Sequence, residues 1–206
     1  MINTLGGFPV YNSRMDNHSE HLESIKHAIG DDSYWTVQEN WKSKTQSTIG
    51  NLRQHELPIN QITHDVAEHF KEYMKLFNPH GYWSFDISSW MNRYGKGDYQ
   101  EAHNHLGGHL SFPPHFSFAY MLRTFNDDSF VFSYESSLNH MSNLFGTLFK
   151  YEDDDSFVWA HTSIPKQEEG TLLIFPSSLG HYVLPNKRDD YRVTMSGNII
   201  LVVDDE

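Results

Sequence analysis

The chain has 206 residues, a net charge of −12, no cysteine and fourteen histidines. The lack of cysteine excludes disulfides and thiolate metal sites, and the acidic balance speaks against a broad nucleic-acid-binding surface. No apolar run approaches the roughly 20 residues that span a bilayer, and the first residues lack the basic-then-apolar pattern of a signal peptide, so a cytoplasmic protein that avoids the membrane is expected.

The first eighty residues read as mainly helical. Leu22, Ile25 and Ile29 fall at helical spacing, with Asn17 or Ser19 as a cap and Gly30 as a stop. A second helix is expected from Ile59 to Phe77, with Ile59, Ile62, Val66, Phe70, Met74 and Phe77 on its buried face. The histidines of this half, His18, His21, His27, His55, His64, His69 and His80, are expected at the surface or as caps.

From about Tyr82 the period changes to two. Trp83, Phe85 and Ile87 alternate, and Ser88-Ser89 is expected to shift the register before Trp90, Asn92 and Tyr94. Further strands are expected at Gln100–His105, Phe116–Arg123, Phe130–Tyr134, Phe157–Thr162, Thr171–Phe175, His181–Leu184 and Tyr191–Val203. Many short strands with Gly, Pro and Asp turns suggest an antiparallel sandwich or barrel. No internal repeat or low-complexity linker interrupts them. One domain over 1–206 is therefore expected, with a helical buttress to about 80 and an antiparallel β core from about 81.

The chemistry concentrates in four residues. On a strand, positions i and i+2 point to one face, so His103 and His105 can reach one metal ion. His181 follows the apolar run Gly170–Pro176 and can join them from a neighbouring strand. Imidazole suits iron, zinc, copper and nickel. In Tyr191–Ser196, alternation puts Arg192, Thr194 and Ser196 on one face, and a guanidinium beside a hydroxyl suits a carboxylate.

These residues resemble those of the Fe(II)/2-oxoglutarate oxygenases. Tyr94-Gly-Lys-Gly97, leading into His103-Asn-His105, looks like the segment that enters their metal-binding strand. The run Gly170–Pro176 with His181 resembles their second metal motif, and Arg192-Val-Thr194 their Arg-x-Ser/Thr pair. Upstream, Glu39-Asn-Trp41-Lys-Ser43 and Trp90-Met-Asn92 resemble a branch that uses His-x-His.

The resemblance implies a double-stranded β-helix holding Fe(II) through His103, His105 and His181. It further implies 2-oxoglutarate held at its distal carboxylate by Arg192, Thr194 and Tyr94. Dioxygen would be the oxidant, with succinate and carbon dioxide released and a prime substrate hydroxylated. That substrate, whether small molecule, peptide or nucleobase, would be chosen by the loops at 106–115 and 125–165.

His105 stands where the wider superfamily has Asp or Glu, and Glu101, on the same strand face, is the alternative ligand. Two rivals stay open. The spacings Gly97-x5-His103 and Gly170-x5-Pro176-x4-His181 also resemble the two cupin motifs, a fold that hosts metal dioxygenases and isomerases without 2-oxoglutarate. Arg192 is the residue that separates the two readings. A non-catalytic jelly-roll binding module would use the same aromatics and leave the histidines to pack.

Overall fold

The structure, a computed structural model, describes residues 2–5, 8–39, 41–75, 77, 83–106, 113–125, 129–133, 162–163 and 167–203. In chain order these form β1 (Ile2–Leu5), β2 (Phe8–Arg14), α1 (His18–Ile29), β3 (Thr36–Val37), β4 (Gln46–Ser47) and α2 (Ile59–Met74). Then come β5 (Trp83–Tyr94), β6 (Gln100–His103), β7 (Phe116–Arg123), β8 (Phe130–Ser133), β9 (Thr162–Ser163), β10 (Thr171–Pro176), β11 (Gly180–Val183) and β12 (Arg192–Val203). The expected strand at 157–162 and the loops at 106–115 and 125–165 lie largely outside the described residues, as do His80, His140 and His161.

Two antiparallel sheets result. The larger has the order β1-β2-β10-β7-β12-β5-β4-β3, and the smaller β6-β11-β8-β9. Strand alternation sorts the side chains of the larger sheet. Phe118, Tyr120 and Leu122 of β7, with Val193, Met195 and Ile199 of β12, join Ile62, Val66 and Phe70 of α2 in one core. Ala119 and Met121 point the other way and pack with Phe130, Phe132, Phe175 and Val183 in a second core. Helices thus cover one face of the larger sheet, while the other face closes on the smaller sheet.

Four expectations about the first half need correction. Its segments contribute four strands besides the helices, and these extend both edges of the larger sheet. β3 and β4 are two residues long, too short to show a period. Asn17 occupies the N-cap of α1 without a side-chain cap bond, and its amide nitrogen donates to Asp65 at 3.1 Å. His18 and His21 are buried, not superficial. Both share the Tyr120 hydroxyl, at 2.8 and 3.2 Å, and His21 also meets Asp65 at 2.9 Å. α2 ends at Met74 rather than Phe77, and Tyr73 takes the buried place expected for Phe77.

β5 keeps one register against β12 from Trp83↔Val203 to Tyr94↔Arg192, so Ser88-Ser89 causes no shift. Arg93 of β5 is fully buried on the helix side. It donates to the Ile29 carbonyl at 2.8 Å and to Gln46 at 3.0 Å, pairs with Asp32, and lies 4.4 Å from the Tyr191 ring centroid. This cation fastens the end of α1 to the sheet.

Where β12 passes between β5 and β7, Gly197 faces Ser89 and Phe118. A Cβ at Gly197 would overlap the Phe118 ring and the Ser88 carbonyl oxygen. Gly197→Ala should therefore cost more than about 3 kcal/mol, beyond the usual overpacking penalty. A urea midpoint close to wild type would contradict this account of the crossing.

Candidate metal centre

The three histidines converge from two adjacent strands and the turn that follows one of them. β6 and β11 pair antiparallel with His103 directly opposite His181. β6 ends at His103, so His105 lies two residues past the strand instead of on it. Its backbone N–H donates to the Ser177 carbonyl at 3.0 Å, and its ring stacks on Trp90 at 6.2 Å. The ring centroids are 4.4 Å apart for His103 and His181, 5.1 Å for His105 and His181, and 5.3 Å for His103 and His105. One ligand atom from each lies within 4.8 Å of the others, and Glu101 does not belong to that group.

The hydrogen bonds decide which nitrogen each ring offers. Nδ1 of His103 lies 2.8 Å from the Glu101 carbonyl, and Nδ1 of His181 lies 3.0 Å from the Leu179 carbonyl. Carbonyl oxygens only accept, so both Nδ1 atoms donate and each Nε2 keeps its lone pair. His105 Nδ1 bonds the Oδ1 of Asn198, which also accepts from Ser117 at 3.1 Å. All three imidazoles thus have one nitrogen tied back and the other left as a Lewis base. This partner-fixed tautomer is the arrangement that orients metal-binding histidines.

Burial holds all three rings neutral. It lowers the pKa of His103, takes His105 down to about 4, and puts His181 well below the ordinary value of 6.5, the neighbouring histidines adding to the effect at His105 and His181. The flanking Phe130 ring stacks on His181 at 5.2 Å and Phe175 meets it edge-on at 5.0 Å. Between pH 6.5 and about 4 the unfolded chain binds protons that the folded chain refuses, so stability falls as pH falls through that window. Each pH unit costs about 1.4 kcal/mol for each such imidazole. Buried His18, also lowered by desolvation, adds to the slope. Urea midpoints of the metal-free protein should drop steeply from pH 6.5 to 4, and less steeply in His105→Gln; a flat profile would contradict the burial argument.

The centre opens into a cavity of about 380 Å³ between the two sheets. Ser196 and Asn198 of β12 line it with Trp90, Asn92 and Tyr94 of β5. Arg192 and Thr194, on the same face of β12, are buried but do not form its wall. Arg192 lies behind Tyr94, its guanidinium carbon 4.8 Å from the ring centroid, and donates to the Leu184 carbonyl at 2.7 Å. Tyr94 is the member of this trio that reaches the cavity. Burial raises its pKa, while the Arg192 charge and the Thr194 and Asn92 side chains pull it back. The turn after Tyr94 depends on Gly97, whose φ of 84° suits glycine.

Asn198 is a site residue that motif spacing missed. The signal was present in β12, since the alternation of Arg192, Thr194 and Ser196 continues to it. Asn198→Leu would strip His105 of its partner and should weaken iron binding about 10- to 100-fold. Affinity equal to wild type in an anaerobic Fe(II) titration would remove Asn198 from the centre.

A family model described as "Putative 2OG-Fe(II) oxygenase" matches residues 88–198. The chain belongs to that family. No curated protein matches it. Among solved structures, HygX from Streptomyces hygroscopicus, with nickel, 2-oxoglutarate and hygromycin B bound, superposes with a TM-score of 0.57 at 13% identity, covering 95% of this chain and 83% of HygX. A prolyl-4-hydroxylase from Pseudomonas putida gives 0.54 at 12% identity, covering 93% and 91%. The collagen prolyl hydroxylase of Paramecium Bursaria Chlorella virus-1 gives 0.51 at 12% identity, covering 92% and 95%. At such identity the likeness shows the fold, a double-stranded β-helix. Membership in the 2OG-Fe(II) oxygenases makes the chain an oxidoreductase that uses iron and 2-oxoglutarate, and its histidine triad suits the metal.

Proposed function

We propose that this oxygenase hydroxylates its prime substrate, with His103, His105 and His181 holding Fe(II) through Nε2. The carrying observation is the set of three Nδ1 atoms tied to oxygen acceptors, which leaves three converging lone pairs in one buried place. Arg192 supplies the positive charge for the distal carboxylate of 2-oxoglutarate, with Thr194 beside it and Tyr94 presenting the cavity wall. When bound, iron would activate dioxygen, the oxidant, which takes two electrons from 2-oxoglutarate as it becomes succinate and carbon dioxide and two from the prime substrate.

The chain's own residues orient the reactants and exclude water. Trp90, Phe130 and Phe175 make the wall around the imidazoles apolar, which strengthens every charge interaction inside it. Three neutral imidazoles leave the centre one charge unit more positive than two imidazoles and a carboxylate, favouring a dianionic co-substrate. Residues 1–206 act as one oxygenase unit, on a small molecule or peptide group in preference to bulk nucleic acid, given the net charge of −12.

An anaerobic titration tests the proposal. Fe(II) should bind the metal-free protein, and 2-oxoglutarate should then produce a visible metal-to-ligand charge-transfer band. Turnover with the right substrate should release succinate in proportion to product. Iron binding without such a band would move the assignment to a cupin-like oxygenase that needs no 2-oxoglutarate.

A further inference from the structure

The cavity wall carries a charge that the described protein does not answer. Glu101 sits on β6 two residues before His103, about 7 Å along the strand. One of its oxygens, Oε1, accepts from the Lys42 backbone N–H at 3.1 Å. The other, Oε2, is buried and has no hydrogen-bond donor, and no ion pair reaches Glu101 among the described residues. Glu101 as a whole is half-buried, but a carboxylate oxygen closed off from water without a donor is costly.

Asn92 Oδ1, also in the cavity wall, is likewise without a partner. An amide can turn to offer either an acceptor or donors, so Asn92 does not choose a ligand's charge. A carboxylate offers acceptors only, and 2-oxoglutarate, a dianion with no N–H to give, cannot satisfy it.

The surroundings fit a cation. Trp41 and Trp90 line the same cavity, and indole faces attract ammonium and guanidinium groups. Trp41 is held beside Glu101 by the chain itself. The Lys42 N–H bonds Glu101, and Thr45 Oγ1 donates to the Tyr99 carbonyl at 2.7 Å, fixing this loop to the start of β6. Trp41 lies in the sequence segment Glu39–Ser43 to which the metal centre assigns no role. The acidic chain as a whole also favours approach of a cationic ligand.

We infer that Glu101, with Trp41 and Trp90, forms the prime-substrate subsite and that the substrate carries a positively charged nitrogen, an amine or guanidinium, close to the carbon that is oxidised. This inference rests on the Fe(II)/2-oxoglutarate assignment of the neighbouring centre.

The test uses the full chain loaded anaerobically with Fe(II) and 2-oxoglutarate. n-Butylguanidine and its neutral isostere n-butylurea are titrated in, and binding is read by tryptophan fluorescence and by the visible band. n-Butylguanidine should bind at least about tenfold more tightly, the size of one charge-assisted hydrogen bond. That preference should vanish in Glu101→Gln, which should still bind iron and 2-oxoglutarate as wild type does. Equal binding of the two ligands, or a preference that survives in Glu101→Gln, would overturn the inference. Loss of iron in Glu101→Gln would also overturn it, since Glu101 would then be a metal ligand. A normal 2-oxoglutarate band without cation preference defeats the subsite alone. A missing band with the fluorescence preference intact defeats the cofactor assignment and keeps the subsite.

Discussion

His181→Ala should abolish iron binding, an affinity loss beyond the roughly 10- to 100-fold expected for removing an outer partner of a ligand. His181 is the deepest of the three imidazoles, 4% exposed, and the only one placed on a strand of the smaller sheet between β6 and β8. Its removal leaves His103 and His105 with no third donor among the described residues, because Glu101 stands outside the group. The fold should survive, since the lost ring packs on Phe130 and Phe175 and takes no part in the core under the helices. Circular dichroism and an anaerobic Fe(II) titration on the same preparation separate the two effects. A folded His181→Ala protein that binds iron like wild type would place the metal elsewhere.

The contrast with Glu101→Gln makes this a test of ligand identity. Sequence spacing left His105 and Glu101 as alternatives for one coordination position. The geometry favours His105: its Nδ1 is tied to Asn198 and its ring groups with His103 and His181, a group that does not include Glu101.

The candidate centre is legible in the sequence because its parts are local. His103 and His105 are two residues apart, the apolar run of β10 announces the strand before His181, and β12 alternates visibly from Arg192 to Ser196. The periods alone suggest an antiparallel sandwich or barrel, and the double-stranded β-helix is what the family resemblance of the motifs implies. What was illegible depends on partners far apart in sequence. His18 and His21 look like helix-surface residues until Tyr120, roughly a hundred positions away, brings them inside. The burial of Arg93 likewise rests on distant partners, a carbonyl from α1 and the Asp32 carboxylate. β3 and β4 acquire strand character only by pairing at the edge of β5. Glu101 and Trp41 belong together only because the Lys42 N–H closes a loop of 59 residues.

Arg192→Met should spare iron binding and weaken 2-oxoglutarate by about a hundredfold or more, the scale of removing one partner from a buried charge pair. Methionine keeps much of the side chain's apolar length while deleting the guanidinium. Arg192 touches none of the three histidines in the hydrogen bonds and ring contacts of the centre, so the metal should not sense the change. Folding should tolerate it as well: the bond to the Leu184 carbonyl is lost, but so is the cost of burying a cation that is 0% exposed. Arg192→Lys should fall between, because an ammonium keeps the charge but not the planar fork. The measurement is the 2-oxoglutarate concentration that half-develops the charge-transfer band at saturating Fe(II). Tyr94 stands between Arg192 and the cavity, so Tyr94→Phe should cost less than Arg192→Met if the guanidinium carries the interaction. A Tyr94→Phe loss equal to that of Arg192→Met would make the phenol the principal carboxylate contact, and wild-type affinity in Arg192→Met would remove Arg192 from the co-substrate site.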